Sequence, residues 1–243
     1  MSAEIVKPYN PDAAKKAQVE EMFDNIAPTY DLLNRLLSMG IDVSWRKFAI
    51  RQLAADKPQR VLDIATGTGD VALECYRQIK PKQIVGLDLS AQMLDFGRGK
   101  IAKAGLTNTI EMVQGDSENL PFADNDFDAI TVAYGVRNFE NLQNGLKEMH
   151  RVLQPDRKLV VIEFSRPKAF PLKQLFNVYF RYILPAIGRL TSKDARAYSY
   201  LYESVQAFPD GNDFLDELKK AGFRNTKWHP LTFGICSVYV AEK

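Results

Sequence analysis

Patterns typical of strands and helices alternate along the middle of the chain, and few folds other than a covered parallel sheet satisfy such an order. Short apolar runs predict strands at residues 60–64, 83–88, 110–114, 127–132 and 158–164. Amphipathic runs predict helices at residues 70–79, 90–104 and 142–153. Because parallel strands require crossover connections, we expect an α/β fold with a mostly parallel, doubly wound sheet.

Two helical segments lie outside this alternation, residues 1–53 before it and residues 166–208 after it. A chain of 243 residues with 46% hydrophobic residues suits one domain of this class. We therefore predict a single domain, residues 1–243, in which the two outlying segments form a helical lid on the substrate side.

The end of the chain has a different pattern. A helical run near 214–221 precedes two β-rich runs, 226–231 and 235–241, with Phe233 and Gly234 between them. Two strands joined by so short a turn predict an antiparallel hairpin, here at the edge of the sheet.

Bulk charge and cysteine content exclude several classes of protein. The net charge is only +2 and no basic run stands out, so we expect no nucleic-acid partner. Cys75 and Cys236 fall in a helix pattern and a strand pattern, which predicts buried, reduced thiols. The N-terminal residues have no apolar stretch after their charges, which predicts a cytoplasmic protein without a secretory signal.

A glycine turn follows the first predicted strand. The segment VLDIATGTGDVA places Asp63 in the strand, followed by a turn that contains Gly67, Thr68 and Gly69. Glycines without a Cβ let a ligand approach the backbone at the start of a helix. Asp88 ends the next strand, where a carboxylate can accept hydrogen bonds from both hydroxyls of a ribose. The alternative role for Asp88 is an N-terminal helix cap.

This arrangement fits two adenosine-containing ligands, NAD and S-adenosylmethionine. NAD brings an anionic pyrophosphate to the turn, whereas S-adenosylmethionine brings a sulfonium and an ammonium group. Asp63 and Asp70 flank the turn, and carboxylates there repel a phosphate but attract an ammonium group. Since no basic phosphate site is evident, charge favours S-adenosylmethionine.

A third acidic position follows the strand at 110–114. Asp116 and Ser117 of QGDSENLPF are placed to bond the amino group and ring edge of an adenine. Leu89, Met93 and Leu120 are candidates to sandwich that ring, although each is as well suited to simple core packing.

Longer motifs resemble the menaquinone and ubiquinone biosynthesis C-methyltransferases over nearly the whole chain. The motifs are YDLLNRLLSMGIDVSWR, VLDIATGTGD, GDSENLPFADNDFDAITVAYGVRNF, EMHRVLQP, VVIEFSRP and AYSYLYESVQAFP. The glycine turn marks only the wider superfamily, whereas YGVRNF, EFSRP and the Tyr-Asp-x-x-Asn opening are more specific. The resemblance implies a Rossmann-like class I S-adenosylmethionine-dependent methyltransferase fold, with N-terminal helices, a helical insertion and the C-terminal antiparallel hairpin.

The resemblance also implies a reaction and its ligands. The expected reaction is methylation of a ring carbon of a polyprenyl quinol, with demethylmenaquinol favoured and 2-methoxy-6-polyprenyl-1,4-benzoquinol as the alternative. Thr68, Asp88 and the Asp116 and Ser117 pair match cofactor-binding positions of the family. The chain departs from its relatives at Gln154-Pro155-Asp156-Arg157, where they usually have a Pro-Gly-Gly turn.

Carbon methylation needs a ring carbon made nucleophilic by an adjacent phenolate. Arg137 follows the fourth predicted strand, at the edge where open α/β sheets bind ligands. We expect Arg137 to stabilise the phenolate and Asn138 to orient the ring oxygen, with a structural salt bridge as the alternative role for Arg137. Tyr30, the third candidate catalytic residue, is expected with Asp31 to close over the site or to pack in the core.

Neither histidine fits a role in proton transfer, since His150 lies in a helix pattern and His229 in the terminal hairpin. No grouping of His, Cys, Asp and Glu has the spacing of metal ligands, so we predict no metal site.

Aromatic and basic residues interleave between Phe170 and Leu190, a pattern typical of an interfacial helix. The charges in this segment and Pro185 argue against a membrane span. We expect peripheral docking at the inner face of the cell membrane, with helix burial as the alternative.

Two other classes of protein are kept as alternatives. An NAD-dependent oxidoreductase is disfavoured by Asp63 and the lack of a basic phosphate site. A noncatalytic quinone-binding protein is disfavoured by Asp88, Asp116 and Arg137. A homo-oligomer is compatible with the sequence.

Overall fold

A computed structural model describes residues 6–183 and 194–243. The strands in these ranges are β1 (Arg60–Ile64), β2 (Gln83–Asp88), β3 (Ile110–Gln114), β4 (Phe127–Ala133), β5 (Leu153–Phe164), β6 (Arg224–Leu231) and β7 (Cys236–Glu242). They form one sheet in the order β3-β2-β1-β4-β5-β7-β6. The first five strands pair in parallel, and β7 pairs antiparallel with β5 and β6. This arrangement confirms the predicted parallel sheet with a C-terminal antiparallel hairpin.

Helices connect and cover the strands. Within the described ranges they are α1 (Lys15–Ile26), α2 (Tyr30–Leu37), α3 (Ile41–Ala54), α4 (Asp70–Ile79), α5 (Ala91–Lys103), α6 (Leu142–Val152), α7 (Leu172–Val178), α8 (Ala195–Ala207) and α9 (Asn212–Lys220). Short 3-10 turns lie at Ala27–Thr29, Val136–Asn138 and Thr232–Gly234, and a π-helical turn at Tyr179–Ile183 extends α7.

Both faces of the sheet are buried because successive strand residues point to opposite sides. Leu62 and Ile64 of β1 lie in a core that includes α6 and α9, whereas Val61 packs in a core with α3, α4 and α5. A third cluster joins α1 to α7 and α8. This third cluster sits beside the glycine turn, where it forms the walls of the site described below.

A side-chain hydrogen bond defines the start of α5. Ser90 caps α5, its hydroxyl oxygen accepting a hydrogen bond from Met93 N at 3.1 Å. Cys75 and Cys236 are buried, as expected of core thiols.

The predicted turn at residues 154–157 is part of β5 instead. Leu153 pairs with Phe127 and Lys158 pairs with Ala129, so the residues between them bulge out of the ladder. Asp156 takes a positive φ of 61° in this bulge. The strand therefore begins at Leu153, earlier than predicted, and α6 ends at Val152.

The predicted interfacial segment is described only as far as Ile183, and residues 184–190 of it lie outside the described residues. In residues 6–183 and 194–243, no helix is long and apolar enough to span a bilayer.

Candidate active site

Two neighbouring cavities lie at the carboxyl ends of the parallel strands. The larger cavity has a volume of about 340 Å³, and side chains from α1, α2, α3, α7 and α8 line it. The smaller cavity, of about 80 Å³, is lined by the ends of β2 and β3 and by α1. The residues that line both cavities are Phe23, Tyr30, Ala65, Gly67, Ala133, Tyr134 and Asn138. The two spaces therefore meet beside the glycine turn.

The glycine turn lies open at this junction. Gly67 has a φ of +54°, and a Cβ built there would meet no atom within 4 Å. A ligand can therefore approach its backbone. Gly69 also has a positive φ, but it faces Met112 and Ile101 of the core and lines neither cavity.

Asp63 lies beneath this turn rather than in a cavity wall. It is 1% exposed and accepts hydrogen bonds from the hydroxyls of Thr66 at 2.6 Å and Thr131 at 2.7 Å. Burial raises the pKa of Asp63 to about 6. Asp63 thus braces the turn from below and lines neither cavity.

Asp88 lines the smaller cavity and also supports the turn. Its Oδ2 accepts a hydrogen bond from Gly67 N at 2.7 Å, and its Oδ1 accepts one from Ser90 N at 2.9 Å. Burial raises the pKa of Asp88. Since Ser90 is the cap of α5, the alternative role of Asp88 as the cap is wrong.

Asp116 and Ser117 line the smaller cavity as well. Asp116 Oδ2 lies 2.6 Å from Lys16 Nζ, so α1 reaches across this cavity. Leu89 and Met93 also line it, whereas Leu120 belongs to the sheet core.

Two basic side chains that were not predicted from the sequence stand beside the glycine turn. Lys100 Nζ donates a hydrogen bond to Thr68 Oγ1 at 3.0 Å and forms a salt bridge with Asp70. Arg46 Nη2 lies 3.1 Å from Asp70 Oδ2. Burial alone would raise the pKa of Asp70, but these two cations hold it below its ordinary value. Since carboxylates pair with both cations, Lys100 and Arg46 do not form the basic phosphate site that a dinucleotide would need.

The start of α2 closes onto the turn. Thr68 Oγ1 donates to Asp31 Oδ1 at 2.6 Å, and Lys100 lies 2.8 Å from Asp31 Oδ2. Tyr30 lines both cavities, and burial raises its pKa. Tyr30 and Asp31 therefore lie against the glycine turn and the cavities, and their closure over a ligand stays a prediction.

Arg137 and Asn138 line the larger cavity from the 3-10 turn after β4. Arg137 Nη1 lies 2.7 Å from Glu163 Oε1, and the exposed fractions of the two side chains are 8% and 0%. Burial raises the pKa of Glu163, and the charge of Arg137 opposes that rise. Arg137 thus makes the salt bridge considered above and still faces the cavity.

Buried polar atoms without a partner concentrate in the wall of the larger cavity. Among the described residues, such atoms include Arg137 Nε, Asn138 Oδ1 and the Tyr200 hydroxyl, all on that wall. The Tyr134 hydroxyl adds a fourth buried polar group, close to the Cys236 thiol. Buried polar groups normally have partners, so this wall is suited to a ligand that carries oxygen atoms on an apolar body.

The histidines lie away from both cavities. His150 packs edge-on against Phe223 at 5.1 Å between ring centroids, and His229 packs against Phe48 at 5.6 Å. Over residues 6–183 and 194–243, no three His, Cys, Asp or Glu side chains are grouped closely enough to hold a metal ion.

Four residues of the site were not predicted from the sequence: Glu163, Tyr200, Arg46 and Lys100. The first three lie inside the motifs that resemble the C-methyltransferases, so those motifs contained a signal for them. Lys100 reaches the turn from the last turn of α5, and nothing in its local sequence indicates that contact.

The sequence profile of the ubiE/COQ5 methyltransferase family matches residues 12–243. A demethylmenaquinone methyltransferase of Bacteroides fragilis is 48% identical over 240 residues, which cover 99% of this chain and 98% of that protein. A ubiquinone/menaquinone biosynthesis C-methyltransferase UbiE of Geotalea daltonii is 46% identical over 230 residues, covering 94% of this chain and 97% of the relative.

A solved structure shows the same fold in a more distant protein. It is an S-adenosylmethionine-dependent methyltransferase of Thermotoga maritima, described as a possible histamine N-methyltransferase. The TM-score is 0.65 at 19% identity, over 92% of this chain and 99% of that one. The likeness confirms the Rossmann-like methyltransferase fold.

Proposed function

The chain belongs to the ubiE/COQ5 methyltransferase family, and on that premise we propose that it transfers the methyl group of S-adenosylmethionine to a ring carbon of a polyprenyl quinol. The favoured substrate is demethylmenaquinol, because relatives that match nearly the whole chain are named demethylmenaquinone methyltransferases. Methylation of 2-methoxy-6-polyprenyl-1,4-benzoquinol is the second candidate, because other relatives carry both pathway names.

One observation of the structure supports this function above others. An apolar cavity contains the unpartnered polar atoms of Arg137, Asn138 and Tyr200, and it meets a second cavity at the glycine turn. A quinol ring has two oxygens on a flat apolar body, which matches the first cavity. The meeting point gives that ring access to a methyl donor bound at the turn.

The residues of the smaller cavity fit S-adenosylmethionine. The open space at Gly67 admits a ligand to the backbone, and the carboxylate of Asp88 has lone pairs left for ribose hydroxyls. Asp116 and Ser117 would hold the adenine edge, and Thr68 and Gly67 would lie along the methionine end, with Asp63 bracing the turn from below. When bound, S-adenosylmethionine supplies an electrophilic methyl group.

The chain's own residues then act on the acceptor ring. Arg137 stabilises negative charge on a ring oxygen, and Asn138 Oδ1 accepts a hydrogen bond from the ring hydroxyl. The apolar walls exclude bulk water, which strengthens the interaction between Arg137 and the phenolate. Arg137 stays protonated, so it does not take the proton that the ring carbon loses on methylation; a water molecule bound in the cavity carries that proton away. Tyr30 closes the junction between the two cavities.

Transfer of a labelled methyl group tests this function. The protein is incubated with labelled S-adenosylmethionine and either demethylmenaquinol or the methoxybenzoquinol, and mass spectrometry locates the new methyl group. We expect the labelled methyl group on a ring carbon of the product formed from demethylmenaquinol. Label in the benzoquinol alone would assign the second pathway, and binding of the donor without label in either quinol would refute quinol methylation.

We also propose that the cavity mouth docks on the cytoplasmic surface of the membrane, where a polyprenyl tail resides. Around α7, Phe170, Leu175 and Tyr182 are 82%, 62% and 61% exposed, while Phe176 and Phe180 on the other side stack at 4.2 Å in the protein. The segment thus has a buried face and an exposed apolar face. In this proposal residues 1–53 and 166–208 form a lid on one domain, with the tail entering between them.

Flotation with anionic and neutral lipid vesicles tests the docking. We expect wild-type protein to float with anionic vesicles, because the exposed Lys173 and Arg181 flank the apolar side chains. Val178 belongs to the same exposed face and is 49% exposed, and Val178→Asp combined with Tyr182→Asp should abolish flotation. Phe96→Asp, a change of an exposed aromatic residue on α5, is the matched control. Wild-type protein that stays at the bottom with both vesicles would contradict docking.

A further inference from the structure

The turn that presents Arg137 and Asn138 is held from outside by a lysine of α1. Lys15 Nζ donates hydrogen bonds to the carbonyl oxygen of Arg137 at 3.1 Å and to that of Phe139 at 2.9 Å. The turn itself is a single 3-10 turn over Val136–Asn138, which ends at an extended Phe139. So short a turn has few hydrogen bonds of its own, and the ammonium group joins its end to α1.

The position of Lys15 costs stability. It is 6% exposed, and within the described residues the hydrogen-bond partners of its ammonium group are carbonyl oxygens rather than a carboxylate. Burial, together with the charge of Arg137, lowers the pKa of Lys15 to about 8, while Glu118 and Glu140 oppose that shift. A cation buried near another cation is unfavourable for folding alone, which points to a functional reason for it.

The same end of α1 also covers the smaller cavity. Lys15 N donates to Glu140 Oε1 at 3.0 Å, Lys16 Nζ lies 2.6 Å from Asp116 Oδ2, and Val19 and Phe23 line the cavity. The two neighbouring lysines therefore contact different parts of the site. Lys15 contacts the turn with the residues that face the ring, and Lys16 contacts the adenine side.

We propose that Lys15 is a positioning residue, which holds the Val136–Asn138 turn so that Arg137 and Asn138 face the ring when α1 covers the smaller cavity. The proposal rests on the proposed function. Lys15 does not touch the ring; it acts through the turn, chiefly by placing Arg137, whose carbonyl oxygen it bonds. Because misplacement of a catalytic group by about 1 Å can lower the rate about a hundredfold, loss of this contact should act on turnover more than on donor binding.

The test compares Lys15→Met with Lys103→Met, a matched change of an exposed lysine on α5. Hydrogen–deuterium exchange shows whether the peptide that contains residues 136–139 opens. We expect faster exchange there in Lys15→Met and unchanged exchange in Lys103→Met. We also expect kcat for demethylmenaquinol to fall about tenfold or more, with the Kd for S-adenosylmethionine changed less than about threefold.

A double-variant cycle shows whether the effect passes through Arg137. On an Arg137→Ala background, Lys15→Met should lower kcat by less than about twofold, because residues that act as one unit are not additive. An equal loss on both backgrounds, or wild-type turnover and exchange in Lys15→Met, would overturn the proposal. If Lys15→Met does not fold, Lys15→Gln, whose amide can still donate to one carbonyl, should show a smaller rise in exchange and a smaller loss of kcat, and no change in either would overturn the proposal. A wild-type protein that is inactive on every quinol would refute the proposed function. Hydrogen–deuterium exchange of residues 136–139 would still show whether Lys15 holds the turn.

Discussion

Replacing Arg137 with alanine removes the positive partner of a carboxylate that solvent does not reach. Arg137 Nη1 lies 2.7 Å from Glu163 Oε1, with 8% and 0% of the side chains exposed. Removing one member of a buried ion pair costs about 3–5 kcal/mol, because the other charge is left uncompensated. In a protein of this length each kcal/mol lowers Tm by about 2–4 °C, so Tm should fall by about 6–20 °C.

The loss should depend on pH. Burial raises the pKa of Glu163, and Arg137 is the charge that opposes the rise, so the pKa rises further in Arg137→Ala. A carboxyl group with a raised pKa gives stability that is lost as pH rises through that pKa. The free energy of unfolding of Arg137→Ala should therefore fall further below that of wild type as pH rises above the ordinary glutamate pKa of about 4.

A second change separates stability from catalysis. Glu163→Gln added to Arg137→Ala removes the buried charge and should restore most of the stability, while turnover stays at least about a hundredfold below wild type because no guanidinium faces the ring. Urea unfolding measures the first quantity, and labelled methyl transfer measures the second. A stability loss below about 1 kcal/mol, the size typical of exposed pairs, or a double variant that regains turnover, would refute this reasoning.

Two further changes test the support of the glycine turn. Burial raises the pKa of Asp63 to about 6, so the stability of wild type relative to Asp63→Asn should fall as pH rises from about 4 to about 7; unfolding curves with the same pH dependence in both proteins would contradict this. A Cβ on Gly135 would lie 2.4 Å from the Cβ of Ala65, so Gly135→Ala should cost about 1–3 kcal/mol in urea unfolding. Gly99→Ala is the control for Gly135→Ala, because a Cβ on Gly99 meets open space. Equal stability of the two variants would contradict a steric clash between Gly135→Ala and Ala65.

The parallel strands could be predicted because buried strands are continuous apolar runs between turn residues. The bounds of β1, β2 and β3 agree with the prediction. β5 was predicted to start too late, because Pro155 and Asp156 are typical turn residues. In the structure they form a bulge inside the strand, and only the pairing with β4 shows that the strand continues before it.

The acidic and polar residues at the strand ends could also be predicted, since chain order alone brings them to one edge. The basic side chains that contact these residues could not be predicted. Lys100 and Lys15 reach the site from helices, and their contacts with Asp70 and the Arg137 carbonyl join residues 30 and 122 positions apart. These two cations could not be foreseen from the residues near the glycine turn in sequence, because both come from distant parts of the chain.

A crystal structure of the protein with S-adenosylhomocysteine and a short-chain demethylmenaquinol tests whether the two cavities act as one site. We predict adenosine in the smaller cavity with Asp88 on the ribose, and the quinol in the larger cavity with one ring oxygen on Arg137 or Asn138. The sulfur atom should face a ring carbon at the junction beside Gly67 and Tyr30. A ring bound outside the larger cavity, or a sulfur atom that faces away from it, would contradict the account.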